Sequence, residues 1–161
     1  MDISEEKFVQ RKAEAKVIYD AIGSVKCPYF NGEEVHFNSE GFEHILFKSW
    51  NKTRSRVEQY TRLRLIPLVV SIIRKSGTLQ EYDEKNIFVR QQSRGKWTEV
   101  MKLVRYYIFI AIINDLRMKI IVREVVGEKK RFYSVYPSWS TAQDGWGGKK
   151  KKLYTGNPET D

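Results

Sequence analysis

The chain has 161 residues, and its 29 lysines and arginines against 20 aspartates and glutamates give a net charge of +9. This length fits one domain, and a single cysteine excludes both a disulfide framework and a multi-cysteine zinc site. The charged first residues lack the apolar core of a signal peptide, and the longest apolar run is about half a membrane span. We expect a soluble, cytoplasmic protein that avoids membranes and binds an anionic partner, with nucleic acid first.

The first half of the chain is predicted to be mainly helical. Apolar residues recur at helical spacing, and Asn-Gly between two β-prone runs is a strong hairpin signal. Pro67 lies inside the longest predicted helix and should kink it or split it in two. In chain order we expect a helix over 3–22 ended by Gly23, a hairpin at Asn31-Gly32, a short helix from Asn38 or Ser39 to about 49, and a helix from Asn51 or Thr53 to about Lys75.

The second half has the alternation and turn residues of strands. We predict strands over 86–91, 104–113, 117–126 and 131–136, with turns at 93–96, Asn114-Asp115 and 127–129. The expected fold class is α+β, with N-terminal helices followed by an antiparallel four- to five-stranded sheet. The expected organisation is an N-terminal helix (1–24), a main domain (25–140) and a basic, flexible tail (141–161).

The positive charge is concentrated in a few segments. Residues 48–75 carry eight basic side chains and one acidic one, a net +7, and a second basic stretch covers 90–105. A run of four lysines, 149–152, lies in the tail. Such clustering favours a binding surface over an evenly solvated face.

The sequence lacks the residues that several kinds of catalysis require. No glycine-rich phosphate loop, metal-ligand spacing or cluster of carboxylates is present, and Cys27 has no convincing catalytic partner. Metal-independent cleavage of RNA remains, because RNA supplies its own nucleophile, the 2′-OH, and needs only positioning, proton transfer and charge stabilisation. This chemistry requires no cofactor.

His44 is the strongest candidate for proton transfer. It is predicted to turn away from the apolar face of the short helix, and Lys48 follows it by one turn, which should lower the pKa of the imidazole and keep a neutral base available. A histidine with a purely structural role is the alternative on spacing alone.

Five short motifs resemble a known group of nucleases. They are VHFNSEGFEHI at 35–45, RSR at 54–56, RLRLI at 62–66, KIIVR at 119–123 and KRFYSVYP at 130–137. Together they resemble the phage-associated nuclease families of the barnase–EndoU–colicin–RelE-like fold. Those families run a strand into a Gly-x-x-His helix, then an arginine-rich helix, then a sheet that ends in a basic-Phe-x-Ser strand.

The resemblance implies a metal-independent endoribonuclease that leaves a 2′,3′-cyclic phosphate and a 5′-OH. Such domains act as toxins or as effectors of phages and mobile elements, and an immunity or antitoxin protein is then a potential partner. The implied roles are proton transfer for His44, clamping of the phosphorane for Arg54, Arg56 and Arg123, and hydrogen bonding to phosphate for Ser134. The implied substrate-binding residues are Lys48, Arg54, Arg62, Lys130 and Arg131.

The residues leave several alternatives open. Arg54 can form an intrahelical ion pair with Glu58, and Ser134 can be a satisfied buried hydroxyl. Strand alternation puts Tyr133 and Ser134 on opposite faces, so that one of the two should be core. A non-catalytic nucleic-acid-binding or phage regulatory protein, using the basic 48–75 helix and the lysine tail, is the rival function, and an inactive descendant of the nuclease fold is a third.

Overall fold

The structure is a computed structural model that describes residues 2–49, 51–138 and 156–161. These residues form three α-helices, one 3-10 helix and eight strands. In chain order they are α1 (Glu5–Asp20), β1 (Ser24–Lys26), the 3-10 helix (Pro28–Phe30), β2 (Glu34–His36), α2 (Ser39–Leu46), β3 (Phe47–Ser49), β4 (Lys52–Thr53), α3 (Arg56–Lys75), β5 (Glu81–Ser93), β6 (Lys96–Ile113), β7 (Leu116–Val125) and β8 (Arg131–Pro137).

The α+β class is confirmed, but the predicted arrangement of the sheet is wrong. The main sheet has six strands in the order β1-β2-β8-β7-β6-β5, and β2 runs parallel to β8 while every other pair is antiparallel. The helices are not all N-terminal, because β1 and β2 precede α2 and α3. The chain reaches β8 only after two helices and five further strands, so its pairing with β2 is a long-range contact that no local pattern reveals.

Local signals predicted the helices and most turns, but not all of their bounds. α2 ends at Leu46 instead of about 49, and Pro28–Phe30, before Asn31-Gly32, is a 3-10 helix, so the strands of this hairpin lie further apart along the chain than predicted. Asn38 caps α2 as predicted, whereas α3 is capped by Ser55 and not by Asn51 or Thr53. α3 continues through Pro67 as one helix instead of splitting. Two strand connections are tight turns with positive φ at both central residues, as a two-residue hairpin loop requires. These turns are Arg94-Gly95 and Asn114-Asp115.

The sheet has a core on each face. The larger core lies between the sheet and the helices and includes Tyr19, Ile45, Leu63 and Phe109, so α1 belongs to the same folded unit as the rest. Strand alternation sends the neighbours of these strand residues to the other face, where Tyr106, Tyr133 and five further residues form a second, smaller cluster. The candidate site lies at this second face.

The β5–β6 hairpin extends beyond the sheet. β7 pairs with β6 only from Val104 onward, whereas β5 pairs with β6 out to Ser93 and Lys96. Residues 86–103 therefore form a two-stranded ribbon, on which Phe88 and Trp97 are 65% and 61% exposed. We refer to these residues as the ribbon.

Candidate active site

A close contact between α2 and β8 positions His44. A Cβ added at Gly41 would lie 2.6 Å from the backbone oxygen of Phe132 and 2.5 Å from the hydroxyl of Tyr19, so only glycine allows the helix to lie this close to the strand. One helical turn later His44 stacks on Tyr133, with ring centroids 4.0 Å apart and an interplanar angle of 24°. The Gly-x-x-His spacing thus has a structural cause.

His44 is a neutral imidazole in this environment. It is 7% exposed, and burial, reinforced by the charges of Arg54 and Arg62, lowers its pKa to about 3. Its Nε2 lies 3.0 Å from the backbone oxygen of Glu159. Because a carbonyl only accepts, the ring proton is on Nε2, and Nδ1 is then a buried acceptor without a hydrogen-bond partner among the described residues.

Arg54 and Arg62 form a buried ionic network behind His44, with exposures of 2% and 1%. Both donate to the same carboxylate oxygen of Glu58, at 2.9 and 3.1 Å. The predicted ion pair of Arg54 with Glu58 is therefore present, and Arg54 Nε also donates to the backbone oxygen of His44 at 3.0 Å. This network fixes the end of α2 against α3.

Ser134 lies in the same network and is fully buried. Arg62 Nη1 donates to its hydroxyl at 2.7 Å. The β7–β8 register shifts between Ile121, opposite Ser134, and Val122, opposite Phe132, so Tyr133 is an extra residue in a β-bulge. Strict alternation was therefore the wrong expectation here: Tyr133 lies in the cluster on the site face, and Ser134 is opposite Ile121, a member of that cluster.

Arg123 holds a carboxylate at the centre of the site. Its Nε and Nη2 each lie 3.1 Å from an oxygen of Glu159, a bidentate arrangement. Tyr106, directly across from Arg123 on β6, donates its hydroxyl to the same carboxylate. The hydroxyl of Tyr133 donates to the Glu159 backbone oxygen at 2.9 Å. Burial and, less strongly, the Glu159 charge raise the pKa of both tyrosines, so both remain donors.

The carboxylate belongs to residues 156–161, Gly-Asn-Pro-Glu-Thr-Asp, which we call the acidic segment. Its turn is closed by bonds to the Asn157 backbone oxygen from the amides of Thr160 and Asp161, at 3.1 and 2.9 Å. Lys85 donates to the Asn157 side chain at 2.5 Å. Arg54 Nη2 donates to the Thr160 and Asp161 backbone oxygens at 3.3 and 3.1 Å. Part of the region predicted as a flexible tail is therefore packed, whereas 139–155, with the lysine run, lie outside the described residues.

The remaining predicted residues are not all at this site. Arg56 is nearly half exposed and pairs with Glu5 of α1, so the structure does not bring it to His44. Lys130 bonds Glu33 and Glu124, at 2.7 and 3.0 Å. Lys48 is half-buried on β3.

Arg131 does lie beside the site. It is 3.6 Å from Glu40, whose other oxygen is 3.7 Å from Arg123. With Arg123, Lys129 and Tyr133 it lines a small pocket at the edge of the cluster. The structure thus brings together His44, Arg54, Arg62, Arg123, Arg131 and Ser134.

Sequence reasoning missed the residues that complete the site. Tyr106 lies in an apolar strand whose pattern does not single it out, and only its register opposite Arg123 places it at the site. Glu159 and Asn157 stand in a polar stretch without periodicity, so no sequence signal identified them. Among the described residues, no group of three or more His, Cys, Asp or Glu side chains is arranged to hold a metal ion.

Comparisons of the chain with protein-family models, with curated proteins and with solved structures find no match. In the described part of the chain no helix is long and apolar enough to span a membrane.

Proposed function

We propose that the chain is a metal-independent endoribonuclease that acts through the His44–Arg123 site in the cytoplasm. The observation that carries the proposal is the Glu159 carboxylate, bound by Arg123 and Tyr106 next to His44. A planar anion held by a bidentate guanidinium and a hydroxyl occupies the kind of site that also fits two oxygens of a phosphodiester. The motif resemblance points to the same chemistry.

The proposed reaction has two proton transfers. The 2′-oxygen attacks the adjacent phosphorus and its proton passes to His44. The P–O5′ bond then breaks and the imidazolium returns the proton to the leaving 5′-oxygen, giving a 2′,3′-cyclic phosphate and a 5′-OH. His44 is the proposed base: once Glu159 is displaced, the neutral imidazole can shift its proton from Nε2 to Nδ1, and Nε2 is then an acceptor. Arg123 and the hydroxyls of Tyr106 and Tyr133 stabilise the charge on the phosphorane oxygens.

The supporting residues have positioning roles. Arg54 and Arg62 hold His44 through the α2 backbone and Glu58, and Ser134 fixes Arg62. Their positive charges favour the neutral form of His44. Ser134, which the resemblance implied as a phosphate donor, is therefore proposed to act indirectly, by accepting a hydrogen bond from Arg62. Arg131, beside the pocket, is placed to bind a neighbouring phosphate, and an immunity protein would have to cover this surface.

The test is cleavage of end-labelled RNA in EDTA with analysis of the products' ends. The chain should yield 2′,3′-cyclic phosphate and 5′-OH ends, and His44→Ala should lower the rate by about a hundredfold or more while remaining folded. His36→Ala is the matched control, because it removes the other histidine of the chain. Full activity of His44→Ala would overturn the assignment.

One observation favours non-catalytic nucleic-acid binding as the second candidate. On the ribbon, Arg90 lies 5.4 Å above the exposed Trp97 ring, and Arg94, Lys96 and Lys102 add positive charge. Exposed aromatics among basic residues suit stacking on bases next to phosphate contacts. The basic α3 supports this rival less than its sequence indicated, because Arg62 is buried. Tight binding of RNA with a steep salt dependence and no strand scission would favour this candidate.

A further inference from the structure

We propose that the acidic segment is an internal competitive ligand of the site: it holds the anion-binding groups until a nucleic-acid strand displaces it. The inference rests on the proposed function for the identity of the competing ligand. It does not need the site to be catalytic.

The segment uses the same groups that the substrate needs. Arg123 donates two hydrogen bonds to the Glu159 carboxylate, and the Tyr106 hydroxyl donates one. The Tyr133 hydroxyl and His44 Nε2 both donate to the Glu159 backbone oxygen. A phosphodiester cannot reach these donors while Glu159 holds them. Occupancy by the segment and by a nucleotide is therefore mutually exclusive.

The segment has the internal order of a bound ligand. Asn157 closes its turn through the amides of Glu159, Thr160 and Asp161, and the Asp161 carboxylate accepts the amide of Gly156 at 2.8 Å. A segment that is already turned loses less conformational entropy when it binds. Its contacts with Lys85, through Asn157, and with Arg54, through Asp161, hold the segment at both of its ends.

Covalent attachment makes the competition strong. A ligand on the same chain binds at a high effective concentration, of the order of millimolar for a short connection. A single free phosphate therefore competes poorly with Glu159. An RNA strand adds contacts at neighbouring basic residues such as Arg131, so a polyanion is the class of ligand that displaces the segment.

The first experiment measures binding without cleavage. A fluorescent 2′-O-methyl oligoribonucleotide lacks the 2′ nucleophile, so anisotropy with the full chain reports affinity alone. Glu159→Gln removes the charge that Arg123 holds and should tighten binding about tenfold or more. Glu6→Gln, which removes the same charge from an exposed position on α1, should bind within about twofold of the original chain. Equal affinity of Glu159→Gln and the original chain would overturn the proposal.

Two further measurements test the same proposal, and the first of them, made on the original chain, does not depend on how Glu159→Gln folds. Hydrogen exchange on the original chain should show protected amides at Thr160 and Asp161, and the oligonucleotide should remove this protection. A synthetic Gly-Asn-Pro-Glu-Thr-Asp peptide should displace the oligonucleotide from the site of Glu159→Gln. The same peptide with glutamine at its fourth position should not. Unchanged exchange in the complex, or equal competition by both peptides, would count against the internal ligand.

The two proposals fail in different ways. Tighter oligonucleotide binding by Glu159→Gln without cleavage of ordinary RNA would remove the nuclease and leave the internal ligand. If the original chain and Glu159→Gln cleave RNA equally and bind the oligonucleotide equally, the nuclease assignment stands and the internal ligand is refuted.

Discussion

Replacing His44 with glutamine should remove a pH-dependent part of the stability of the protein. Burial and the neighbouring arginines hold the pKa of His44 at about 3 in the folded chain, whereas an imidazole in the unfolded chain titrates at about 6.5. Between these two values the unfolded chain binds a proton that the folded chain does not. The free energy of unfolding therefore falls as the pH falls from about 6.5, and the loss ends near pH 3.

The magnitude follows from the distance between the two pKa values. A full pKa unit corresponds to about 1.4 kcal/mol, so lowering the pH from 7 to 5 should cost the original chain about 2 kcal/mol through this residue alone. Carboxylates add their own dependence below that range: hydrogen bonds and charges from Lys130 and its neighbours lower the pKa of Glu124 despite its burial. The quantity to compare is therefore the difference between the original chain and His44→Gln.

The assay is urea unfolding followed by tryptophan fluorescence and circular dichroism at pH 7, 6 and 5. His44→Gln should be less stable at pH 7, by about 1 kcal/mol, because it loses the stacking on Tyr133. Its stability should fall about 2 kcal/mol less than that of the original chain between pH 7 and 5. His36→Gln, at a half-buried position on β2, controls for the loss of an imidazole. Identical pH slopes for His44→Gln and the original chain would refute the reasoning.

Three further substitutions test the packing that positions the site, each by chemical denaturation. Gly41→Ala should cost about 2 kcal/mol or more, because its Cβ would meet the Phe132 backbone at 2.6 Å, whereas Gly77→Ala, with nothing within 4 Å, should change stability little; equal effects would contradict the close-packing argument. Pro67→Ala should stabilise α3 by about 1–3 kcal/mol, because proline lacks the amide for the intrahelical bond and its position is exposed, and a loss of stability would show that the proline geometry is needed. Ser134→Ala should cost about 1–3 kcal/mol, because it removes the acceptor of the 2.7 Å bond from buried Arg62, and a neutral result would mean that Arg62 finds an equal acceptor elsewhere.

The local part of the fold could be predicted because its signals are local. Helix capping by Asn38, the ends of α1 and α3, and the turns at Arg94-Gly95 and Asn114-Asp115 each depend on a few adjacent residues. The α+β class follows from the spacing of the apolar residues, which is helical in the first half of the chain and alternates as in strands in the second half. Pro67 does not split α3, since the packing of α3 outweighs the cost of one missing hydrogen bond.

The non-local part could not be predicted in the same way. The parallel contact between His36 and Arg131 joins residues nearly a hundred positions apart, and the bulge at Tyr133 depends on its register with β7. The buried state of Arg62 depends on Glu58 and Ser134 together, although a run of basic residues on a helix usually faces solvent. His44 was identified from its helix, but its stacking partner and the residue that occupies its Nε2 come from other parts of the chain.

The charges of the site are balanced only while the acidic segment is bound. Arg54, Arg62, Arg123 and Arg131 lie beside the carboxylates of Glu58, Glu40 and Glu159. Asp161, which is also buried in the acidic segment, supplies a fourth negative charge that acts on Arg54. Withdrawal of Glu159 would leave Arg123, in a largely buried position, with a single ion pair among the described residues, the 3.7 Å contact to Glu40. A buried charge that loses its partner costs several kcal/mol, so the site without the segment strongly favours another anion. Buried ion pairs contribute little to folding stability when compared with apolar packing of the same volume. The exchange of the Glu159 carboxylate for another anion gives a physical reason for burying these charges.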